Sequence, residues 1–462
     1  MKKLNLFLLA MIAGSMLLLT SCGDDDTTTT PVDDNTTVID PVEEATMAFA
    51  EYFATAGNTS TDPGFASAAS ITPSNDLGAV SSAPTGVTST SYKGAVDPSG
   101  AAWYEGWTAY ENILNGSNTP GLSTGTVVTV TDADMLTAGD DVQWTKNNTY
   151  VLDGFVFVNP GQTLTIEAGT VIQGKPGEAA NASALIVAAN GKIMAEGTAS
   201  EPIVFTFEGD NGGQAATLRG QWGGLIILGN ASLNSTPGTT AIEGIPEEMR
   251  AIYGGNDDAD NSGVLKYVSI RHGGTNIGAD NEINGLTLGG VGTGTTIDYV
   301  EVVANKDDGI EWFGGTVNAT HLLSVFCADD ALDYDEGYRG TNQFVIVHQD
   351  PAIDAADRGG EHDGGTDPET GTPFATPKFY NVTSIGNDAS RTITFRDNAG
   401  GEYHNSIFCG YGRGIDIELL KDQDQDSYKQ FTDGNLKLEN NVFHNIGDGT
   451  TGADIFKVNA PE

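Results

Sequence analysis

Asp307-Asp308-Gly309-Ile310-Glu311 is answered 22 residues later by Asp329-Asp330-Ala331-Leu332-Asp333. The same offset sets Val300 over Leu322, Val303 over Val325 and Ala304 over Phe326. A second pair, Tyr380-Asn381-Val382-Thr383-Ser384 and His404-Asn405-Ser406-Ile407-Phe408, is offset by 24, and Leu438-Glu439-Asn440-Asn441-Val442-Phe443 reads as a further copy. Self-similarity at such periods marks a solenoid. Outward from these motifs, from Val127 on, short apolar runs such as Leu164-Thr165-Ile166, Leu185-Ile186-Val187 and Leu225-Ile226-Ile227-Leu228 alternate with Gly, Asn and Asp turns, and no helical period intervenes. Regularly spaced short strands indicate an all-β fold. Strand-only coils of this length suit a right-handed parallel β-helix, each coil about 4.8 Å above the last. Propeller blades need repeats of about 40 residues or more, and a sandwich would not place matching motifs one coil apart. The spacing predicts a β-helix over 126–462 of about twelve coils, a rod of roughly 50–60 Å.

The amino-terminal third reads differently. Lys2 and Lys3 precede an apolar run, Leu4 to Leu19, too short for a comfortable membrane span and placed as an export signal is placed. Residues 1–21 are therefore expected to be a signal peptide. Residues 22–44, acidic and then rich in Thr, Asp and Pro, have little to bury and read as a disordered tether. Residues 45–125 are expected to form a small capping segment. Glu43 to Phe53 suggests a helix with Met47, Ala48, Phe49, Tyr52 and Phe53 on one side, and Trp103, Trp107 and Tyr110 cluster as a candidate lid for one end of the core.

Composition excludes some partners. With 21 Lys and Arg against 63 Asp and Glu, the formal net charge is −42. Nucleic-acid binding, which depends on basic contacts to phosphate, is excluded in practice. Such acidity keeps an exported protein soluble and recruits divalent cations. Of three cysteines, Cys327 and Cys409 lie in apolar strand patterns and read as buried free thiols, although a disulfide between them stays open.

Two resemblances add to this reading. Leu19-Thr20-Ser21-Cys22 resembles a bacterial lipobox, which implies a diacylglycerol on Cys22 and attachment to a membrane. Gly23-Asp24-Asp25-Asp26 resembles the acidic signal that sends lipoproteins of Bacteroidota to the outer face of the outer membrane. Several acyl chains would hold such a chain durably, at about 0.8 kcal/mol per buried CH₂. Gly174-Lys175-Pro176-Gly177, Gly220-Gln221-Trp222-Gly223-Gly224-Leu225, Asn284 to Val291, Asp307 to Gly315 and Glu361-His362-Asp363-Gly364-Gly365 are similar to a recurrent family of exported Bacteroidota surface proteins. That resemblance, over roughly Tyr92 to Phe408, implies a pectin-lyase-like β-helix on the cell exterior and no settled activity.

Candidate sites follow from the repeat. The 22-residue offset stacks Asp307 on Asp329, Asp308 on Asp330 and Glu311 on Asp333. Like charges one coil apart need a cation, a proton or hydrogen bonds. The row therefore reads as solvated turn aspartates, as a Ca²⁺ site, or as a catalytic pair Asp308/Asp330 at the carboxyl spacing glycosidases use. Asp307-Asp308 resembles the paired aspartates of polygalacturonase-type hydrolases, without that family's companion motifs. Asp422, Asp424, Asp426 and Asp433 stand at positions 1, 3, 5 and 12 of an EF-hand-like calcium loop, with Ser427 where the turn Gly belongs. Asp258 and Asp260 form a shorter acidic loop of the same type. His362, in Asp357 to Gly365, is a candidate general acid or base, and Arg271-His272-Gly273-Gly274 is a weaker case. Lys306 is the Lys that a lyase mechanism would use. The leading expectation is a surface protein that binds glycan, matrix or a protein partner, with structural Ca²⁺. The alternative is a polysaccharide lyase or glycoside hydrolase.

Overall fold

Along a strand successive side chains face opposite ways, so each short apolar run can give alternate residues to an interior shared with the coils above and below. The computed structural model describes residues 40–66, 70–114, 117–119, 121–122, 125–246, 248–278, 282–351, 357–365, 368–420 and 425–460. The expected signal peptide, Cys22 and most of the tether lie outside them. From Thr126 the chain winds as a parallel β-helix. A sixteen-stranded sheet folds along a corner into two faces, and a ten-stranded sheet, strand on strand in parallel, forms the third. The inward ladder of this third sheet runs Val187, Ile227, Leu288, Trp312, Tyr334, His362, Phe395, Ile417 and Val458, one residue per coil.

The repeat reads directly as register. Ile310 pairs with Leu332 and Glu311 with Asp333. Val300 pairs with Leu322 and Val303 with Val325. Tyr380 pairs with His404 and Thr383 with Ile407. The third sheet has ten strands and the longest path through the larger sheet has eleven, so the rod is one coil short of the expected twelve, about 48 Å at the stacking rise. Excursions between coils account for the difference. The longest of them, between Leu228 and Gly263, contains a small antiparallel pair, Thr240–Ala241 with Ile252–Tyr253.

One corner shows how stacking enforces local strain. Tyr267, Tyr299, His321, Phe344, Asn381, Asn405 and Asn440 occupy equivalent positions in successive coils, and all have φ between 48° and 59°. The left-handed region costs an L-residue roughly 1–2 kcal/mol, least for Asn. In the first four coils ring stacking offsets it. Tyr267–Tyr299 centroids are 4.4 Å apart, Tyr299–His321 4.1 Å and His321–Phe344 5.0 Å. In the last three coils asparagine takes over.

The segment before Thr126 closes the solenoid in an unexpected way. The helix Pro41–Thr55, capped by Asp40, buries Ala45, Phe49 and Phe53. These pack on the carboxy-terminal coil, with Phe49 stacked on Phe456 at 4.7 Å and Phe53 against Phe443. Thr59 then pairs with the edge beside Val442. From there the chain runs back along the outside of the rod. Ser81 donates to Asn405, Thr88 to Gln343, Ala95 to Thr383, Ala109 to Glu301, and Thr119 to the Gly212 carbonyl. Trp107 and Tyr110 are buried against this flank, and Trp103 packs on Tyr299 and His321. The aromatic cluster covers a side of the rod rather than an end. At the amino-terminal end, Asp132–Thr137 turns Met135 into the core. Both ends thus have their exposed strand edges covered, which blocks edge-to-edge association. Cys327 and Cys409 are free thiols.

Glu301 clamps the strap. Its carboxylate is fully buried and accepts from Ala109 N, Tyr110 N and Ser269 Oγ, and Arg271, also fully buried, faces it. Glu301→Ala removes that charge from beside Arg271. Breaking such a pair costs about 3–5 kcal/mol. Urea unfolding should show that loss, and limited proteolysis should cut the strap between Tyr92 and Thr119 before the coils. A variant with unchanged midpoint and cleavage pattern would show that the strap is held elsewhere.

Candidate functional site

Opposite the inward ladder, the third sheet turns a polar row outward. Thr287, Glu311, Asp333, Glu361, Thr394 and Asp416 succeed one another at one position. Two residues further along each strand stand Phe313, Asp335, Asp363 and Arg396. Three residues before Glu311 and Asp333, in the turns entering the strands, Asp308 and Asp330 meet: Asp330 N donates to Asp308 Oδ1 at 2.9 Å. The excursion after Leu228 walls this face on one side. Tyr253 donates to Glu336 at 2.6 Å, and a cleft of about 250 Å³ opens between Glu243, Tyr253, Phe313, Asp335 and Glu336.

Stacking and walling together produce a buried acidic trench. Asp308, Glu311 and Asp330 are only 8%, 6% and 2% exposed. Three overlapping trios bring carboxylate oxygens within 4.8 Å of one another: Asp307, Asp308 and Asp329; Asp308, Glu311 and Asp333; and Asp329, Asp330 and Asp357. Burial first, and then the neighbouring carboxylates, hold Asp308, Glu311, Asp330 and Asp333 well above the ordinary range. Burial and Asp329 push Asp307 up to about 7. The third trio is partly neutralised by Arg358, whose guanidinium lies 2.8 Å from Asp357, 3.0 Å from Glu361 and 3.3 Å from Asp330. The middle trio has no such partner among the described residues. Asn284 donates to Glu311, while Asp333 Oδ1 is buried and accepts no hydrogen bond. All-oxygen donors that converge from two neighbouring strands and the turn entering one of them are of the type Ca²⁺ takes.

Toward the carboxy-terminal end the same face gathers arginines among its carboxylates. Arg358 pairs in register with Arg391, and Arg391 with Arg413. With Arg396, these line a cleft of about 330 Å³ that also contains Thr394, Asp416 and Glu418. This cluster went unread in the sequence because its members are scattered over 358–413. Only the coil register gathers them.

The structure sorts the other expected residues. Asp308 and Asp330 come together in the trench. His362 does not join them. It is fully buried inside the solenoid, stacked on Tyr334 at 4.1 Å with Nε2 2.7 Å from the Tyr403 hydroxyl. Burial lowers its pKa to about 3, so it stays neutral. It is a core residue rather than a solvent-facing acid or base. The signal was the alternation Glu361-His362-Asp363, which matches Asp333-Tyr334-Asp335 one coil earlier. His272 is buried too, its Nδ1 2.7 Å from the Leu218 carbonyl. Lys306 pairs with Glu282 at 3.0 Å, beside the trench.

The EF-hand-like loop is corrected as well. Asp422 and Asp424 lie outside the described residues. Asp426 caps the helix Ser427–Thr432 by accepting from Lys429 N, and also accepts from Leu420 N. Asp433 sits at the other end of that helix, paired with Lys429. Seven residues of helical rise, about 10 Å, separate the two, so they cannot share an ion. In the shorter loop Asp258 accepts from Ser232 and pairs with Arg339 at 3.2 Å. Asp260 accepts from Asn230 and Ser262. These carboxylates hold turns together.

No curated protein and no solved structure matches the chain. A family model described as a pectate-lyase-like β-helix domain matches residues 136–460. That span takes in nearly every coil and the whole of the acidic and basic face, and the chain accordingly belongs to the pectate-lyase-like β-helix family.

Proposed function

We propose that the outward face of the third sheet is the carbohydrate-binding face of an exported cell-surface protein, stabilised by a calcium ion among Asp308, Glu311 and Asp333. The observation that carries the metal is the middle trio: three carboxylates with oxygens within 4.8 Å of one another and no ionic partner among the described residues. A divalent cation offsets that repulsion in a way solvent cannot, because two of the three are nearly excluded from water. The family and the long polar face support carbohydrate as the ligand. The Cys22 lipobox and the acidic run after it support anchorage to the outer membrane, facing the cell exterior.

Without calcium, the trench makes the stability depend on pH in a defined direction. The trench carboxyls are held above their ordinary values, so the folded chain binds protons more tightly than the unfolded chain. In chelator their contribution to stability falls as pH rises from 3.8, the ordinary aspartate value, through about 7, where Asp307 titrates. Calcium should abolish this fall, adding about 2.7 kcal/mol at a hundredfold excess over its dissociation constant. Asp333→Asn should remove the calcium response. A melting temperature at pH 7 that is the same in calcium and in chelator would sink the metal site.

Anchorage is tested by metabolic labelling with a palmitate analogue. Cys22 should carry the label, Cys22→Ser should lose it, and protease added to whole cells should digest the wild-type β-helix. An unlabelled wild-type chain would end the lipoprotein reading.

A second reading, polysaccharide cleavage, is favoured by the pairing of half-buried Asp307 with exposed Asp329, whose carboxylate oxygens lie within 4.8 Å of one another; burial first and then Asp329 push Asp307 up to about 7, in the range where a carboxyl can act as a general acid. Incubation with acidic and neutral polysaccharides should then release reducing or unsaturated ends, and Asp307→Asn should lower the rate at least 100-fold, in keeping with general acid catalysis. Product formed equally well by Asp307→Asn and by Asp308→Asn would discard the trench as its source.

A further inference from the structure

We infer that the cleft between Arg358, Arg391, Arg396 and Arg413 binds a tetrahedral oxyanion. Resting on the carbohydrate reading above, that group is a sulfate or phosphate ester carried by a sugar.

The chain has only eight arginines, and half of them line this one cleft. Chance scatter on so acidic a protein would put them beside carboxylates, and three of the four are so placed, two of them shared among several. Arg358 is shared by Asp330, Asp357 and Glu361. Arg396 is shared by Glu361 at 2.9 Å and Asp363 at 2.7 Å. The other two are less satisfied. Arg391 has one partner, Asp416, at 3.4 Å. Arg413 is exposed and pairs with no carboxylate among the described residues. Arg391 is held below its ordinary pKa first by burial, with Arg413 and Arg358 adding to the effect and Asp416 and Asp448 opposing it. The cleft, which Asp357, Asp416 and Glu418 also line, therefore brings four guanidinia together and leaves one of them, Arg413, uncommitted among the described residues.

Geometry selects the shape of the anion. Arg358, Arg391 and Arg413 come from three successive coils, spaced about 4.8 Å apart along the rod, and Arg396 approaches from further along its strand. A flat carboxylate offers two oxygens in one plane and is satisfied by a single guanidinium fork. A sulfate or phosphate ester offers three free oxygens in three directions and can accept from guanidinia on different coils at once. The volume, about 330 Å³, is at the small end of ligand pockets and suits one substituted sugar unit. The acidic trench next to it would repel a second anionic group, so the ligand is oriented along the rod.

Calorimetry at low ionic strength on the full β-helix tests this. The probes are inorganic sulfate, inorganic phosphate, and oligosaccharides of one length in neutral, uronate, sulfated and phosphorylated forms. The sulfated or phosphorylated form should bind at least tenfold more tightly than the neutral and uronate forms, and which of the two is tighter identifies the source. Arg413→Gln, an exposed substitution with no partner to strand, should weaken that binding by tenfold or more, the usual weight of a charge-assisted bond. Its melting temperature should stay at the wild-type value. Uronate binding as tightly as the sulfated form, or full binding by Arg413→Gln, overturns the inference. Neutral oligosaccharide binding with no gain from the ester overturns it too, while leaving the carbohydrate reading intact. Inorganic sulfate bound in an Arg413-dependent way, with no oligosaccharide bound, supports the anion site and removes the carbohydrate reading instead.

Discussion

Parallel stacking in register, about 4.8 Å from coil to coil, places each side chain above its own counterpart in the previous coil. For apolar side chains this is favourable without further arrangement, and the inward ladder from Val187 to Val458 continues through nine strands on that basis. For polar and charged side chains the same rule is a demand. Whatever charge one coil presents, its neighbours present at contact distance, and the structure must supply hydrogen bonds, counter-charges or ligands to match.

The molecule answers this demand differently from place to place. On the flank under the strap, Glu301 is matched by backbone donors from Ala109 and Tyr110 and by the charge of Arg271. At the left-handed corner, rings stack until asparagine replaces them. On the third sheet, carboxylates accumulate over Glu311, Asp333 and Glu361 and are then met by arginines from Arg358 onward. There the matching is incomplete, with carboxylates crowded together toward one end and Arg413 paired with no carboxylate among the described residues toward the other. Structural ion-pair networks close on themselves, whereas incomplete ones, buried and adjacent to a cleft, are where ligands are expected.

The strap adds an energetic link between the two ends of the rod. A chain segment that caps the carboxy-terminal coil with Phe49 and Phe53 and then crosses the flank to the amino-terminal coils contacts most of the solenoid. Nearest-neighbour coils, which would otherwise fray from either end, are tied by one continuous ligature.

The architecture was legible in the amino-acid order because a solenoid writes its register into the chain. The offset between Asp308 and Asp330 is the offset of the pairing itself, and alternation within each run tells inside from outside. His362 was misread for want of applying that alternation to a glycine-rich stretch treated as loop, and the coil number was overestimated because excursions are indistinguishable from coils in length alone. The acid loop from Asp422 to Asp433 had ligand spacing, but a six-residue helix capped by Asp426 separates its carboxylates, and short helices in polar sequence carry little periodic signal. What only the tertiary structure decided was the company each charge keeps: the wall that buries the trench, the strap that runs against the direction of winding, and the meeting of four arginines from three successive coils. Those depend on contacts between segments tens to hundreds of residues apart, where insertions of unequal length erase any fixed spacing that a linear reading could follow.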